Sequence, residues 1–180
     1  MPAHAVVHFP NIDKTRINEL RDEYDPYRGL IDVHITIVFP VRVDEQALVE
    51  HIEKTLECWR PFEVRLKGLL LSFDQWLFLT VQDGNRRLVK LFEEMYTGLL
   101  ASHRRHDIEF VPHIGLGYFG MEDYDLDDPT AVPLDQSRYE EALRKAEAAE
   151  LDFETVIDRV TLIEVDDQFT QTTIVKEFLL

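Results

Sequence analysis

The chain has 180 residues, 45% hydrophobic and 30% charged, which suits one globular domain over residues 1–180 with a core of ordinary size. A net charge of −16 argues against gripping long nucleic acid through its backbone, which takes clustered Lys and Arg, but is compatible with a small phosphate in a local pocket. The one cysteine, Cys58, excludes an intramolecular disulfide. No stretch has the roughly 20 apolar residues of a membrane span. The N-terminus shows no basic-then-apolar leader, so the expected compartment is the cytoplasm.

Ala5-Val6-Val7-His8-Phe9 reads as a short strand stopped by Pro10. From about Asp13 to Tyr24, Ile17, Leu20 and Tyr24 recur at helical spacing. Asp25-Pro26 ends that helix, because a residue before proline avoids the helical region. Val33-His34-Ile35-Thr36-Ile37-Val38-Phe39-Pro40 is β-branched and aromatic and reads as a strand. Asp44 is a candidate cap for a second helix, with Leu48, Ile52, Leu56 and Trp59 inward and Pro61 as its stop. Phe62, Val64 and Leu66 alternate with Glu63, Arg65 and Lys67 in a half-exposed strand. Trp76 to Val81 forms the next strand, closed by Asp83-Gly84. A third helix is expected from about Asn85 to Ala101, with Leu88, Leu91, Phe92, Met95 and Leu99 inward. After a strand through His113, the acidic stretch from Gly120 to Gln136 reads as a loop. Ser137-Arg138-Tyr139-Glu140 fits a capping box for a helix through Ala148, and strands near Val160 to Val165 and Thr172 to Phe178 close the chain.

Two of these strands carry chemistry. Side chains on a strand alternate, so His34 and Thr36 share one face while Ile35, Ile37 and Phe39 take the other. Val111-Pro112-His113-Ile114-Gly115-Leu116-Gly117-Tyr118-Phe119 repeats the His-Ile pair 79 residues later, close to half the chain, which suggests internal duplication. An imidazole moves protons near neutral pH, and a hydroxyl donates to a phosphoryl oxygen. Gly115 and Gly117 are expected on the face of His113, either making room for a ligand or marking a bulge or close backbone packing.

The two motifs, with the run-in Arg21-Asp22-Glu23-Tyr24-Asp25-Pro26 and Leu30-Ile31, resemble the 2H phosphoesterase superfamily, also called 2′-5′ RNA ligase-like. Its signature is two His-x-Thr/Ser motifs, one per pseudo-symmetric lobe. His34-Ile35-Thr36 fits; His113-Ile114-Gly115 departs, with glycine for the hydroxyl residue, and Val33 stands where one branch has proline. The resemblance implies an α+β fold of two pseudo-symmetric lobes, antiparallel sheets with flanking helices around a central groove. It implies a metal-independent, cofactor-free phosphoesterase, with His34 and His113 as the acid–base pair across one phosphorus. Thr36 is the implied oxyanion donor, and backbone N–H groups or water near Gly115 replace the second hydroxyl. The implied partner is a small nucleotide or RNA-end phosphate: a 2′,3′-cyclic phosphate, a related cyclic nucleotide phosphate or a 2′-5′ linkage. The rival is a non-catalytic binding module on the same scaffold, with Gly115 marking decay of one half-site.

Other residues carry weaker expectations. His8 is more simply solvated at a strand end than groove-lining, and Ser102-His103-Arg104-Arg105-His106 a solvated basic loop rather than a phosphate contact. Trp59 and Trp76 are expected in the core, and Arg28 is a low-odds groove residue. Asp123-Tyr124-Asp125-Leu126-Asp127 imitates a calcium loop but has Asp128 and Leu134 where glycine and glutamate are required. His8, His34 and His113 lack the spacing of a zinc motif.

Overall fold

A computed structural model describes residues 2–123, 132–166 and 170–180. The elements are β1 (Ala3–His8), α1 (Thr15–Tyr24), β2 (Ile35–Val41), α2 (Glu45–Leu56), β3 (Phe62–Leu71), β4 (Trp76–Asp83) and α3 (Asn85–Met95). A 3₁₀ helix (Gly98–His103) follows, then β5 (His113–Tyr118), α4 (Gln136–Ala148), β6 (Asp152–Ile157), β7 (Arg159–Val165) and β8 (Thr172–Leu179). The strands form two antiparallel four-stranded sheets, ordered β2-β1-β7-β8 and β5-β4-β3-β6. The expected α+β class and twin-sheet architecture are therefore present.

The lobes are not the two halves of the sequence. The sheet begun by β1 and β2 is completed by the C-terminal β7 and β8, while β3 from the first half lies beside β4. One apolar cluster takes side chains from both sheets and all four α-helices, among them Ile17, Ile35, Leu48, Leu66, Leu88, Ala142 and Leu162. The exchange of strands explains why no Gly- or Ser-rich linker separates the lobes: each lobe needs strands from both halves to bury its apolar face.

Local chemistry sets the element ends. The Asp44 carboxylate accepts from the Ala47 N–H at 2.9 Å, so α2 is capped as its sequence predicts. The last helix is capped earlier than the Ser137 box implies: Asp135 accepts from the Arg138 N–H at 3.1 Å and Ser137 lies inside the helix. The expected third helix stops at Met95 because Gly98 takes φ +50° and the chain continues as a 3₁₀ helix. That change of period buries Leu100 and leaves Leu99 38% exposed. Strand β6 has no counterpart among the expected elements; its outward Asp152, Glu154 and Val156 hide the strand pattern, and pairing with β3 defines it.

Two bulges set which side chains share a face. In β2 the register passes from Val7↔Thr36 to Val6↔Val38, so Ile37 and Val38 are both buried. Phe39 is thereby turned out, 42% exposed, against the inward expectation. In β5 the pairs Phe78↔Gly115 and Leu77↔Gly117 leave Leu116 without a partner, so Gly115 and Gly117 face opposite ways. This corrects the shared face expected of them. A Cβ on Gly117 would lie 2.4 Å from the Cβ of Tyr24, so that glycine serves close packing with α1.

Candidate active site

His34 directly precedes β2, and His113 opens β5. Each of these strands is the edge of its own sheet, and the two edges touch one another. The touching edges thus bring together two imidazoles from positions far apart in the chain, near enough for the His34 charge to act on His113.

The same backbone device orients both rings. Nδ1 of His34 donates to the carbonyl of Asp32 at 2.8 Å, and Nδ1 of His113 donates to the carbonyl of Val111 at 2.5 Å. A carbonyl only accepts, so each neutral ring must carry its proton on Nδ1. Nε2 then bears the lone pair in both. Among the described residues Nε2 of each ring has no hydrogen-bond partner, and neither is a sealed-in polar atom. Two outward Nε2 atoms are what a proton donor and a proton acceptor need.

Aromatic rings back both imidazoles. Phe78 stacks on His113 with centroids 3.4 Å apart and planes 15° from parallel. Phe9 meets His34 edge-on at 6.4 Å. Each residue keeps part of its surface open, yet the surrounding protein strips much of the water from the ring. His34 is pushed down to about 4, chiefly by this desolvation; the Asp32 hydrogen bond opposes it and the Arg21 cation adds to it. His113 is also pushed down to about 4, first by desolvation, against the Val111 hydrogen bond, with the His34 charge adding and Asp74 opposing. The influence of one ring on the other means that their protonations are coupled.

The third and fourth candidates differ. Thr36 sits beside Val7 on the strand that starts at His34, half-buried, and among the described residues its hydroxyl has no hydrogen-bond partner. Gly115 faces the Trp76 ring, which an added Cβ would meet at 3.5 Å, ordinary contact, with no left-handed backbone to forbid a side chain. Tight packing against backbone does not apply to this glycine; the Trp76 ring lies over it, and the bulge at Leu116 follows directly.

The remaining expectations resolve individually. His8 is buried rather than solvated, with Nδ1 at 2.8 Å from the Arg159 carbonyl; burial lowers its proton affinity. Arg28 pairs with Asp22 at 2.7 Å, and in the basic loop Arg105 holds Asp107 and Arg104 pairs with Glu93. Trp59 and Trp76 are in the core. Most of the calcium-like stretch, residues 124–131, lies outside the described residues. A group able to hold a metal ion exists elsewhere: His4 Nε2 lies 3.2 Å from a Glu45 oxygen and 4.0 Å from one of Glu164. Residues missed by pattern reading are Phe78, Phe9, Asp74 and Arg21. Strand alternation from Trp76 would have placed Phe78 beside His113's strand; the others depend on distant chain.

A cleft of about 450 Å³ lies past Tyr118, lined by Tyr24, Tyr27 and Arg138 and by Glu23, Asp25, Glu122 and Asp123. Of its four carboxyl groups, Glu23 pairs with Lys145 and Asp25 with Arg21.

Paired antiparallel sheets with a clamped histidine at each facing edge define the class. A model of the 2′-5′ RNA ligase superfamily matches residues 9–168, and the chain belongs to that family. A Bacillus cereus (strain B4264) protein named "Putative phosphoesterase BCB4264_A1283" is 30% identical over 125 residues, 66% of this chain and 70% of that one. A Halalkalibacterium halodurans protein, "Putative phosphoesterase BH1439", is 26% identical over 129 residues, 69% of this chain and 74% of its own. In fold the chain is similar to TT0787 of Thermus thermophilus, with TM-score 0.64, 18% identity, and 100% and 98% of the two chains covered. It is likewise similar to apo LigT of E. coli, with TM-score 0.62, 16% identity, and 99% and 97% covered.

Proposed function

We propose that the protein is a metal-independent phosphoesterase that opens a 2′,3′-cyclic phosphate, a related cyclic nucleotide phosphate or a 2′-5′ phosphodiester by two-histidine acid–base catalysis. One observation carries the reading: two imidazoles on touching edge strands, each with Nδ1–H committed to a carbonyl and Nε2 open. Family membership and relatives named as phosphoesterases support it. LigT, the E. coli protein of like fold, has been crystallised with 3′-AMP and with phosphate, in keeping with a small nucleotide as partner.

In this reading a water between substrate and one ring gives its proton to that Nε2 as its oxygen bonds phosphorus. The bond from phosphorus to one ribose oxygen breaks, and that oxygen takes the proton from Nε2 of the other ring. The product is a phosphomonoester with a free hydroxyl. The pair needs one proton between its two rings, and their mutual repulsion disfavours a second. The Thr36 hydroxyl donates to a non-bridging oxygen, where negative charge builds. Near Gly115 a backbone N–H or water takes the corresponding part.

The test is hydrolysis of a panel of 2′,3′-cyclic nucleotides and a 2′-5′ dinucleotide, with and without chelator. Turnover unchanged by chelator is expected. Binding of these nucleotides with no product at any pH would favour the binding-module reading instead, and turnover restored only by added divalent ion would overturn the mechanism.

A further inference from the structure

The run-in that precedes the first motif is built around one buried cation. Arg21 is 2% exposed, an unusual place for a guanidinium. Its Nε donates to Asp25 Oδ2 at 2.7 Å, and its Nη2 donates to the Ile31 carbonyl at 2.8 Å. It therefore ties helix α1 to the backbone just ahead of His34. The next carbonyl along, that of Asp32, receives the His34 Nδ1–H. The partner carboxylate extends the tie in the other direction. Asp25 Oδ1 accepts from the Tyr27 N–H at 2.8 Å, and the Tyr27 ring stacks over Trp76, whose ring covers Gly115. Among the described residues the His113 half has no such guanidinium behind its carbonyl; there Pro112 stiffens the step between Val111 and His113.

We propose that Arg21 is a positioning residue for His34: by holding the Ile31 carbonyl it sets the adjacent Asp32 carbonyl, which fixes the imidazole in its Nδ1–H form with Nε2 toward the groove. Burying a charge is costly, and a conformational latch that two fixed acceptors share is a use that matches the cost. The groups that act on His34 electrostatically are Arg21 from α1, Asp32 from the run-in and His113 from β5. Loss of the Arg21 cation raises the His34 proton affinity, whereas loss of the Asp32 carbonyl clamp lowers it, so the tautomer and not the titration midpoint reports the clamp. The consequence for turnover rests on the phosphoesterase reading above; the consequence for the ring does not.

The experiment compares full-length Arg21→Lys, Arg21→Gln and Asp25→Asn proteins with the unaltered chain. Histidine-selective ¹⁵N–¹H spectra report tautomer and titration midpoint, circular dichroism and melting report the fold, and kinetics separate kcat from KM. A lysine cannot reach both acceptors, so Arg21→Lys should lower kcat by about 10–100-fold, the size expected of a small misplacement, with KM little changed. Arg21→Gln should lower it further and show an Nε2–H population at His34, while His113 keeps its tautomer. Asp25→Asn leaves the carbonyl bond in place, so it should lower the melting temperature yet preserve the His34 tautomer. His34 unchanged in a folded Arg21→Lys or Arg21→Gln protein would overturn the proposal. So would an Asp25→Asn protein as impaired in tautomer and kcat as Arg21→Lys, since the effect would then be general loosening. If the unaltered chain hydrolyses nothing, the phosphoesterase reading falls while the tautomer result still decides the role of Arg21.

Discussion

The two half-sites share a plan and differ in how it is carried out. Each places a histidine at the start of an edge strand, gives its Nδ1–H to the carbonyl two residues back, and sets a phenylalanine against the ring. Each pushes its histidine down to about 4. Beyond that they diverge. The first half has Thr36 beside its histidine and a buried arginine behind it; the second has Gly115, Pro112 and a stacked Phe78. The shared plan is a backbone clamp, which does not depend on the side chains that differ between the halves. The divergence lies in the side chains around each clamp.

The largest expected effects come from removing what the halves share. His34→Ala and His113→Ala should each lower kcat by about 10²–10⁴-fold, the usual worth of a positioned proton-transfer group. The double variant should cost little more than either single one, since the rings act in one transition state. Hydrolysis assays on the three variants check this, and full activity in any of them would break the pairing.

Thr36→Ala sharpens the asymmetry. With glycine at the matching position of the other half, it should reduce kcat/KM by about 10–1000-fold, with Thr36→Ser close to the parent. Equal kinetics in Thr36→Ala and the parent would show that backbone donors suffice in both halves.

The pH dependence tests the shared desolvation. Both rings titrate near 4 in the free protein, so the proton that the general acid needs becomes scarce as pH rises. The kcat/KM value, which reports the free enzyme, should therefore be larger at about pH 5 than at about pH 8. Stability should move the opposite way. Both folded values lie below the roughly 6.5 of an unfolded histidine, so the unfolded chain binds more protons, and stability held above about pH 6.5 should be lost as pH falls toward 4. Inorganic phosphate should raise both midpoints in NMR titrations, because an anion between the rings favours their charged forms.

The smallest effects separate the two glycines of the second half. Gly117→Ala should destabilise by about 1–3 kcal/mol, as its Cβ would overlap Tyr24. Gly115→Ala should be neutral or stabilising by about 0.4–1 kcal/mol, since a Cβ there meets only the Trp76 ring at ordinary distance. Gly115→Thr then reads the site: an intact fold with a raised KM marks space used by substrate, and a raised activity marks a lost donor. Thermal melts and kinetics on the same proteins decide.

Much of this was legible along the chain because it is written in short-range pattern. The repeated His-Ile strands, the Asp44 cap and the inward stripe of α2 depend on neighbours within one turn or one strand. The twin-sheet class followed from a resemblance in the motifs and run-in. Where pattern failed, a distant partner had intervened. Phe39 points outward only because pairing with β1 inserts a bulge at Ile37, and Gly117 leaves the face of His113 only because pairing with β4 skips Leu116.

By itself, then, the sequence determined which residues could carry proton transfer, where most strands and helices fall, β6 excepted, and which family the motifs resemble. Tertiary structure alone decided that strands from the two halves exchange between sheets, and that the edges carrying His34 and His113 touch. It also decided that a buried Arg21 sits behind one ring and Phe78 against the other. The physical reason is range. Periodicity and capping act over a few bonds, whereas desolvation, bulge placement and the tautomer of a ring depend on atoms that only the folded chain brings within a few ångströms.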